Sequence, residues 1–244
     1  MGINRHSVPS MSESAPSQED EIILDPAGHR ARLRERLAEG PDALLDHEVI
    51  EYLLALAIPR RDTKPLARAL IARFGGIGEV LSADWSQLTQ VRGMGETSTA
   101  ALKIAQAAAL RLLKAEVKAR PILGSWQALL DYLRADMAFL SVERVRILHL
   151  NSRNMLIRDD LMSEGTVDQA AIHVREVIRR AMDLGSTALI LVHNHPSGAP
   201  QPSQQDIAIT RQIADAGKRM GITVHDHIII GSEGHVSLRG MGLI

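Results

Sequence analysis

Apolar residues follow two different periods along the chain, and the change falls near residue 121. Upstream, they recur every three or four residues over 29–37, 47–57, 64–74 and 97–113, which is the spacing of helices that bury one face. Downstream, apolar runs of strand length alternate with amphipathic helical stretches. We therefore predict an all-α unit over 25–115 and an α/β unit over 122–244. A linker is expected at 116–121, because Pro121 breaks a helix and favours extended conformations before it.

The C-terminal unit is predicted to be a mixed β-sheet with flanking helices. The run 187–193 is short, apolar and partly β-branched, as in a buried strand. The other expected strands are 144–150, 155–163, 223–230 and 235–238, and the expected helices are 125–133, 175–184 and 203–220. This alternation indicates an α/β fold class.

Composition narrows the possible environments of the protein. The formal net charge is −1, so no overall basic field indicates a nucleic-acid or membrane partner. Aromatic residues make up only 2% of the chain, which disfavours a platform that stacks on single-stranded bases. The chain has no cysteine, which excludes disulfides and thiolate metal ligands.

The N-terminal segment 1–24 is rich in Ser, Pro and other polar residues, and we predict that it is a disordered tail. It lacks the apolar core of a signal peptide, and no apolar stretch of transmembrane length occurs in the chain. We therefore expect a cytoplasmic protein without a membrane partner.

A metal-site pattern, His193-x-His195-x7-Ser203-x2-Asp206, spans the end of strand 187–193 and the start of helix 203–220. Residues i and i+2 of a strand point to one face, so the two imidazoles should converge, and the first helical turn returns Asp206 toward them. Two imidazoles and one carboxylate leave a fourth tetrahedral position open, as in catalytic zinc sites. We predict a Zn²⁺ site with ligands His193, His195 and Asp206. Taken alone, Ser203-x-x-Asp206 is also typical of an ordinary helix capping box.

The same four residues resemble the motif of the JAMM (MPN+) metalloprotease superfamily, and the segment 191–198 resembles its bacterial RadC branch. Residues 164–166, 173–177 and 226–231 resemble further RadC motifs, although Val174 stands where the family usually has proline. The resemblance runs from about Pro26 to the end. It implies an MPN-type mixed sheet, a preceding helix-hairpin-helix-like domain, and a zinc-dependent peptidase or isopeptidase-like activity on a protein or peptide.

A general base is the missing part of this chemistry. The resemblance implies a glutamate from an earlier strand, and Glu143, Glu164 and Glu176 are the candidates. We favour Glu143, because it immediately precedes an apolar strand as the family glutamate does. Ser203 is the second catalytic candidate, as a hydrogen-bond partner of the attacking water or of the developing oxyanion.

Three neighbouring residues, His225, Asp226 and His227, could suggest a second metal. At the start of a buried strand they are better interpreted as structural residues, or as partners that orient a ligand imidazole.

A DNA-associated role is the alternative function, with the MPN domain as a nuclease or a non-catalytic element. Gly93-Met94-Gly95 resembles a helix-hairpin-helix turn, in which backbone N–H groups approach a phosphate. Such a turn also occurs as a plain connection between helices, and Glu96 beside it would repel a phosphate. We therefore expect at most weak, non-specific DNA contact through 25–115. The residues Arg30, Arg32, Arg34 and Arg36 are expected to spread around a helix rather than form one phosphate-facing patch.

Overall fold

The N-terminal half of the protein is helical in the computed structural model, which describes residues 26–165 and 172–244. The predicted tail 1–24 and Thr166 of the motif 164–166 lie outside the described residues. The helices are α1 (Pro26–Glu39), α2 (Asp46–Ala57), α3 (Lys64–Phe74), α4 (Ile77–Ser82), α5 (Trp85–Thr89) and α6 (Glu96–Ala119). Their core is formed by buried aliphatic side chains from α2, α3, α4, α5 and α6, which include Ile50, Leu54, Leu70, Val80, Leu88 and Leu102.

The arginines of α1 are of two kinds, half-buried and bound to neighbouring groups, or exposed. The Arg30 guanidinium donates to the backbone carbonyls of residues 58, 59 and 61, and Arg36 forms an ion pair with Glu48 at 2.8 Å. Arg32 and Arg34 are exposed. As expected, the four do not form one patch.

Most of the linker expected at 116–121 lies within α6, which continues to Ala119. Val117 is fully buried in the core of the C-terminal unit, and this packing holds the last turn of the helix in place. The helix stops just before Pro121, as the proline predicts. Although α6 has 24 residues, no helix within 26–165 and 172–244 is long and apolar enough to cross a membrane.

The C-terminal half is a five-stranded mixed sheet with flanking helices, which confirms the predicted fold class. The strands are β1 (Glu143–Leu150), β2 (Leu156–Gly165), β3 (Ala188–Asn194), β4 (Thr223–Gly231) and β5 (Gly234–Ser237). The helices are α7 (Trp126–Met137), α8 (Val174–Asp183) and α9 (Gln204–Arg219). The strand order is β2-β1-β3-β4-β5, in which β3 and β4 are parallel and the other neighbours are antiparallel.

Each face of the sheet is covered by helices, which makes a three-layer arrangement. Leu148, Ile190 and Val192 pack with α7 and the end of α6 on one face. Ile147, Leu189 and Leu191 pack with α8 and α9 on the other. Because β3 is central and covered on both faces, all seven of its residues are buried.

A buried ionic cluster joins α6 to the sheet. The Asp159 carboxylate of β2 is 1% exposed and accepts hydrogen bonds from Lys114 of α6 at 2.8 Å, Arg146 of β1 at 2.7 Å and the Tyr132 hydroxyl of α7 at 2.7 Å. Asp136 of α7 pairs with the same arginine. Although burial opposes ionisation, Arg146, Lys114 and Tyr132 together hold the pKa of Asp159 below its ordinary value.

Candidate metal centre

The two motif histidines meet where β3 leaves the sheet. His193 is 2% exposed, and the backbone N–H of His195 continues the sheet pairing by donating to Ile230 at 2.8 Å. The Nε2 atoms of the two rings are 3.0 Å apart. The i, i+2 spacing therefore brings both imidazoles to one point, as the strand pattern predicts.

The loop after His195 crosses the end of β4 at a very short distance. A Cβ atom on Gly231 would lie 2.0 Å from the carbonyl oxygen of Gly198, so only glycine fits at position 231. Gly198 itself has φ 92°, which favours glycine again. This close approach turns the chain back over the sheet toward α9.

The first turn of α9 brings Asp206 to the histidines. Its Oδ1 lies 3.4 Å from His193 Nε2, and its Oδ2 lies 3.9 Å from His195 Nε2. Oδ2 also accepts from the backbone N–H of Ser203 at 2.7 Å and from its hydroxyl at 2.6 Å, while Ser203 Oγ accepts from the Asp206 N–H. The capping box and the metal-site geometry therefore coexist, because the cap uses Oδ2 and leaves Oδ1 directed at the rings.

A chain of hydrogen bonds behind His193 controls which nitrogen carries its proton. His193 Nδ1 lies 2.7 Å from His227 Nε2. On the other side of that ring, His227 Nδ1 contacts the Thr210 hydroxyl, and this hydroxyl also contacts the backbone carbonyl of Asp206. When Thr210 donates to that carbonyl, it accepts from His227 Nδ1–H, and His227 Nε2 accepts from His193 Nδ1–H. His193 Nε2 then presents a lone pair to the site. In the reverse polarity, a proton lies between the Nε2 atoms of His193 and His195.

The ring of His195 is oriented by the loop that follows it. His195 Nδ1 lies 2.9 Å from the carbonyl oxygen of Ala199. Because a carbonyl only accepts, the ring proton sits on Nδ1 and the Nε2 lone pair faces His193. In the first polarity of the chain, two lone pairs point at one position.

Two of the three separations between the candidate ligand atoms match those of a tetrahedral metal site. With bonds of about 2.0–2.1 Å, two ligand atoms of tetrahedral zinc are about 3.3 Å apart. The observed separations of 3.0 and 3.4 Å around His193 Nε2 bracket that value, and the 3.9 Å between His195 Nε2 and Asp206 Oδ2 is longer than it. Within 26–165 and 172–244, His193, His195 and Asp206 form the one group of three or more such side chains that could hold a metal ion.

His193 and His227 are held in the neutral form of the imidazole. Burial lowers the pKa of His193 to about 4 and the pKa of His227 well below its ordinary value. Asp206 opposes the shift at His193 but does not cancel it. Both rings are therefore uncharged near pH 7 in the absence of a metal.

Glu143 stands beside this group, at the first position of β1. Val145 pairs with His193 across the sheet, so Glu143, two residues earlier, points to the same face as that histidine. It lines a cavity of about 660 Å³ together with the three metal-site residues and Ser203. Burial raises the pKa of its carboxyl; His195 lowers this pKa and Asp206 raises it.

The other two candidate bases lie elsewhere. Glu164, on β2, forms an ion pair with Arg144 at 3.0 Å. Glu176, in the first turn of α8, pairs with Arg179 at 2.8 Å, and this arginine holds the pKa of its carboxyl below the ordinary value. Neither lines the cavity that contains the histidines.

Asn194, between the two histidines, holds the segment that carries Glu143. Its side-chain oxygen accepts from the Arg144 N–H at 2.8 Å, and its amide donates to the Val142 carbonyl at 3.0 Å. The two bonds bracket Glu143 on the chain. Sequence reasoning did not identify Asn194 or Thr210 as functional residues; a buried asparagine between two metal-site histidines is the signal that was available.

The remaining residues of the His225–His227 segment have structural contacts. His225 Nε2 lies 2.7 Å from Asn154 Oδ1, and the buried Asp226 accepts from the backbone N–H of Arg239 at 3.0 Å. Of the three, His227 contacts the imidazole of His193 and orients it, which is one of the two interpretations of this segment.

A mixed sheet that carries two histidines at the end of a buried strand, with an aspartate on the next helix, defines a JAB-type (MPN) domain. Residues 123–243 match the family model of the RadC-like JAB domain. The C-terminal half of the chain therefore belongs to the RadC family, and the resemblance seen in its motifs is confirmed there.

Proposed function

We propose that the protein is a zinc-dependent hydrolase that cleaves amide bonds in peptides or proteins, as a peptidase or isopeptidase. The observation that carries the proposal is the cavity that joins Glu143 to the three-residue metal group. JAB domains include metalloproteases, which supports the same reaction class. Two histidines and one aspartate are a residue set that suits zinc, whereas a nuclease usually uses a carboxylate-rich site that binds Mg²⁺.

His193, His195 and Asp206 would hold the ion, which lowers the pKa of water to about 7 and polarises a carbonyl oxygen when bound. Glu143 would take up a proton on its carboxylate and return it to the leaving nitrogen, a task that its raised pKa favours. Ser203 Oγ would donate a hydrogen bond to the attacked oxygen, after giving up its contact with Asp206.

Matched variants of these residues separate metal binding from proton transfer. Asp206→Asn removes a charged ligand oxygen, so zinc affinity should fall. Glu143→Gln and Ser203→Ala should each retain about one zinc per chain. With a cleavable peptide, turnover should fall by roughly 10²–10⁴-fold for Glu143→Gln and by roughly 10²-fold or more for Ser203→Ala.

Elemental analysis and zinc titration come first, because they need no substrate. The proposal fails if the zinc-reconstituted wild-type protein shows no specific zinc. If Glu143→Gln is fully active while Glu164→Gln or Glu176→Gln is inactive, the hydrolase stands and the assignment of the base is wrong.

DNA contact through the helical unit is the second candidate function. Gly93 adopts φ 100° in the turn before α6, and the exposed Arg61 guanidinium lies against it, with Arg92 also exposed next to it. Against a phosphate site, Gly95 N–H is already taken by the Ser98 hydroxyl at 2.8 Å, and Glu96 opens the helix. The contact would be weak and sequence-independent, with affinity that falls steeply with salt.

A mobility-shift assay with the full chain tests this second function. Arg61→Ala with Arg92→Ala should weaken a shift seen at low salt, whereas a matched pair on α1, Arg32→Ala with Arg34→Ala, should change it less. The absence of any shift even near roughly 50 mM salt would leave the turn as a helix connection.

A further inference from the structure

The cavity at the metal centre has an unusual charge distribution. Its described lining contains two carboxylates, Glu143 and Asp206, and no lysine or arginine. A divalent ion bound by His193, His195 and Asp206 would leave the cavity formally close to neutral. The described lining then offers no lysine or arginine that could pair with an anionic substrate.

This charge distribution selects among the bonds that a metal hydrolase could attack. A substrate with a free carboxylate or a phosphodiester beside the scissile bond would need a lysine or arginine to compensate its charge in a partly enclosed site. An amide within a chain carries no charge and needs none. The lining therefore favours an internal amide over a C-terminal residue or a nucleic-acid backbone.

The remaining lining is apolar and begins next to the metal group. On α9, Ala208 and Ile209 lie two and three positions after Asp206, so Ile209 is one turn from the ligand. Ile172 and Val145 complete the apolar surface from the segment before α8 and from β1. Ile172 and Ile209 are half-buried, because each packs partly into the core beneath α8 and α9.

Neutral amides border the apolar surface. Gln205 and Gln212 lie on the same face of α9 as Ala208 and Ile209, because these residues are three, four or seven positions apart, except for the adjacent pair 208 and 209. Both glutamines are exposed and can donate to and accept from the backbone of an extended peptide. This face of α9 thus combines apolar side chains with uncharged hydrogen-bonding groups.

From these observations, and on the basis of the proposed function, we infer that the cavity is a subsite for an uncharged, apolar side chain adjacent to an internal scissile amide. The substrate class is an extended peptide segment with an aliphatic residue next to the cleaved bond. Asp206 and the pocket share one helix, so the ion and the side chain are positioned by the same rigid element.

Small hydroxamates test the inference without a known substrate, because the hydroxamate group binds the metal directly. Acetohydroxamate reports whether the ion has an open position. Three longer hydroxamates of matched length end in an isobutyl, a carboxylate or an ammonium group, and they show which terminal group the pocket prefers. Their affinities are measured by calorimetry on the zinc-loaded full chain, and the isobutyl probe should bind about tenfold tighter than either charged probe, or more.

Two pocket variants and one control variant make the test specific. Ala208→Asp, at an exposed position that should tolerate the change, should weaken the isobutyl probe and strengthen the ammonium probe. Ile209→Ala should weaken only the isobutyl probe, by several-fold. Met220→Asp, an exposed position at the far end of α9, should leave all affinities unchanged while zinc content stays constant.

The outcomes separate the inference from the function on which it rests. If acetohydroxamate shows no zinc-dependent binding, the open metal site and the proposed hydrolase fail, and the subsite fails with them. If acetohydroxamate binds but a charged probe binds as tightly as the isobutyl probe, the subsite assignment is overturned while the hydrolase stands. A preference that Ala208→Asp does not change also overturns it.

Discussion

The ionic cluster around Asp159 gives the most direct test of how the two halves of the protein are joined. We consider Asp159→Asn, which keeps the size of the side chain and removes its charge. The carboxylate is 1% exposed and its partners come from α6, β1 and α7. Replacing it leaves Arg146 with Asp136 and removes the carboxylate that pairs with Lys114.

The magnitude follows from the burial of the partners. Removing one member of a buried ion pair costs about 3–5 kcal/mol, because an uncompensated charge remains. Two features reduce the cost toward about 3 kcal/mol: Lys114 is 33% exposed and can turn to water, and Arg146 retains Asp136. With a urea m-value near 2 kcal/mol per M, the unfolding midpoint should fall by roughly 1.5 M.

Urea unfolding of the metal-free full chain, followed by circular dichroism, measures this shift. Asp183→Asn is the matched control, because its ion pair with Arg179 is exposed at 3.6 Å and should be worth less than about 1 kcal/mol. A midpoint for Asp159→Asn that equals the control would refute the argument that α6 is held to the sheet by a desolvated charge.

Two further predictions concern buried histidines. Thr210→Val removes the hydroxyl that accepts from His227 Nδ1–H, so the zinc affinity measured by chelator competition should fall by about 10–100-fold. Thr210→Ser keeps the hydroxyl and should retain the affinity. Equal zinc affinities for Thr210→Val and the wild-type protein would contradict the hydrogen-bond chain. Burial lowers the pKa of His149 to about 4, below its ordinary value of 6.5. The contribution of the neutral ring to the free energy of unfolding is therefore complete above about pH 6.5, and up to about 3 kcal/mol of it is lost as the pH falls toward 4. Unfolding at about pH 7 and about pH 4.5 should show a smaller difference for metal-free His149→Asn, and an unchanged difference would contradict this assignment.

The sequence carried enough information for the sheet and the ligand pattern, because both depend on local periodicity. The run before His193 is apolar at every position, as a strand covered on both faces must be, and the strand period alone directs His193 and His195 to one side. The capping signal at Ser203 then located the start of α9 within one residue. These features need no knowledge of distant contacts.

The parts that sequence reasoning missed depend on contacts between distant positions. Asn194 contacts residues 142 and 144, about fifty positions earlier, through a strand register that no local pattern reveals. Thr210 looks like an ordinary helical residue until β4 brings His227 to it. The end of α6 was misjudged for the same reason, because Val117 is buried by the other half of the protein.

On the proposed function, the continuity of α6 also bears on how targets would be selected. Its 24 residues span about 36 Å from the Gly93–Gly95 turn to the sheet. A flexible tether would let the metal centre reach many points around anything captured at the turn, whereas a helix locked at its far end fixes one separation and one orientation. Cleavage would then be chosen by position along a bound partner, and inserting two residues into α6 would rotate the turn by about 200° relative to the cavity.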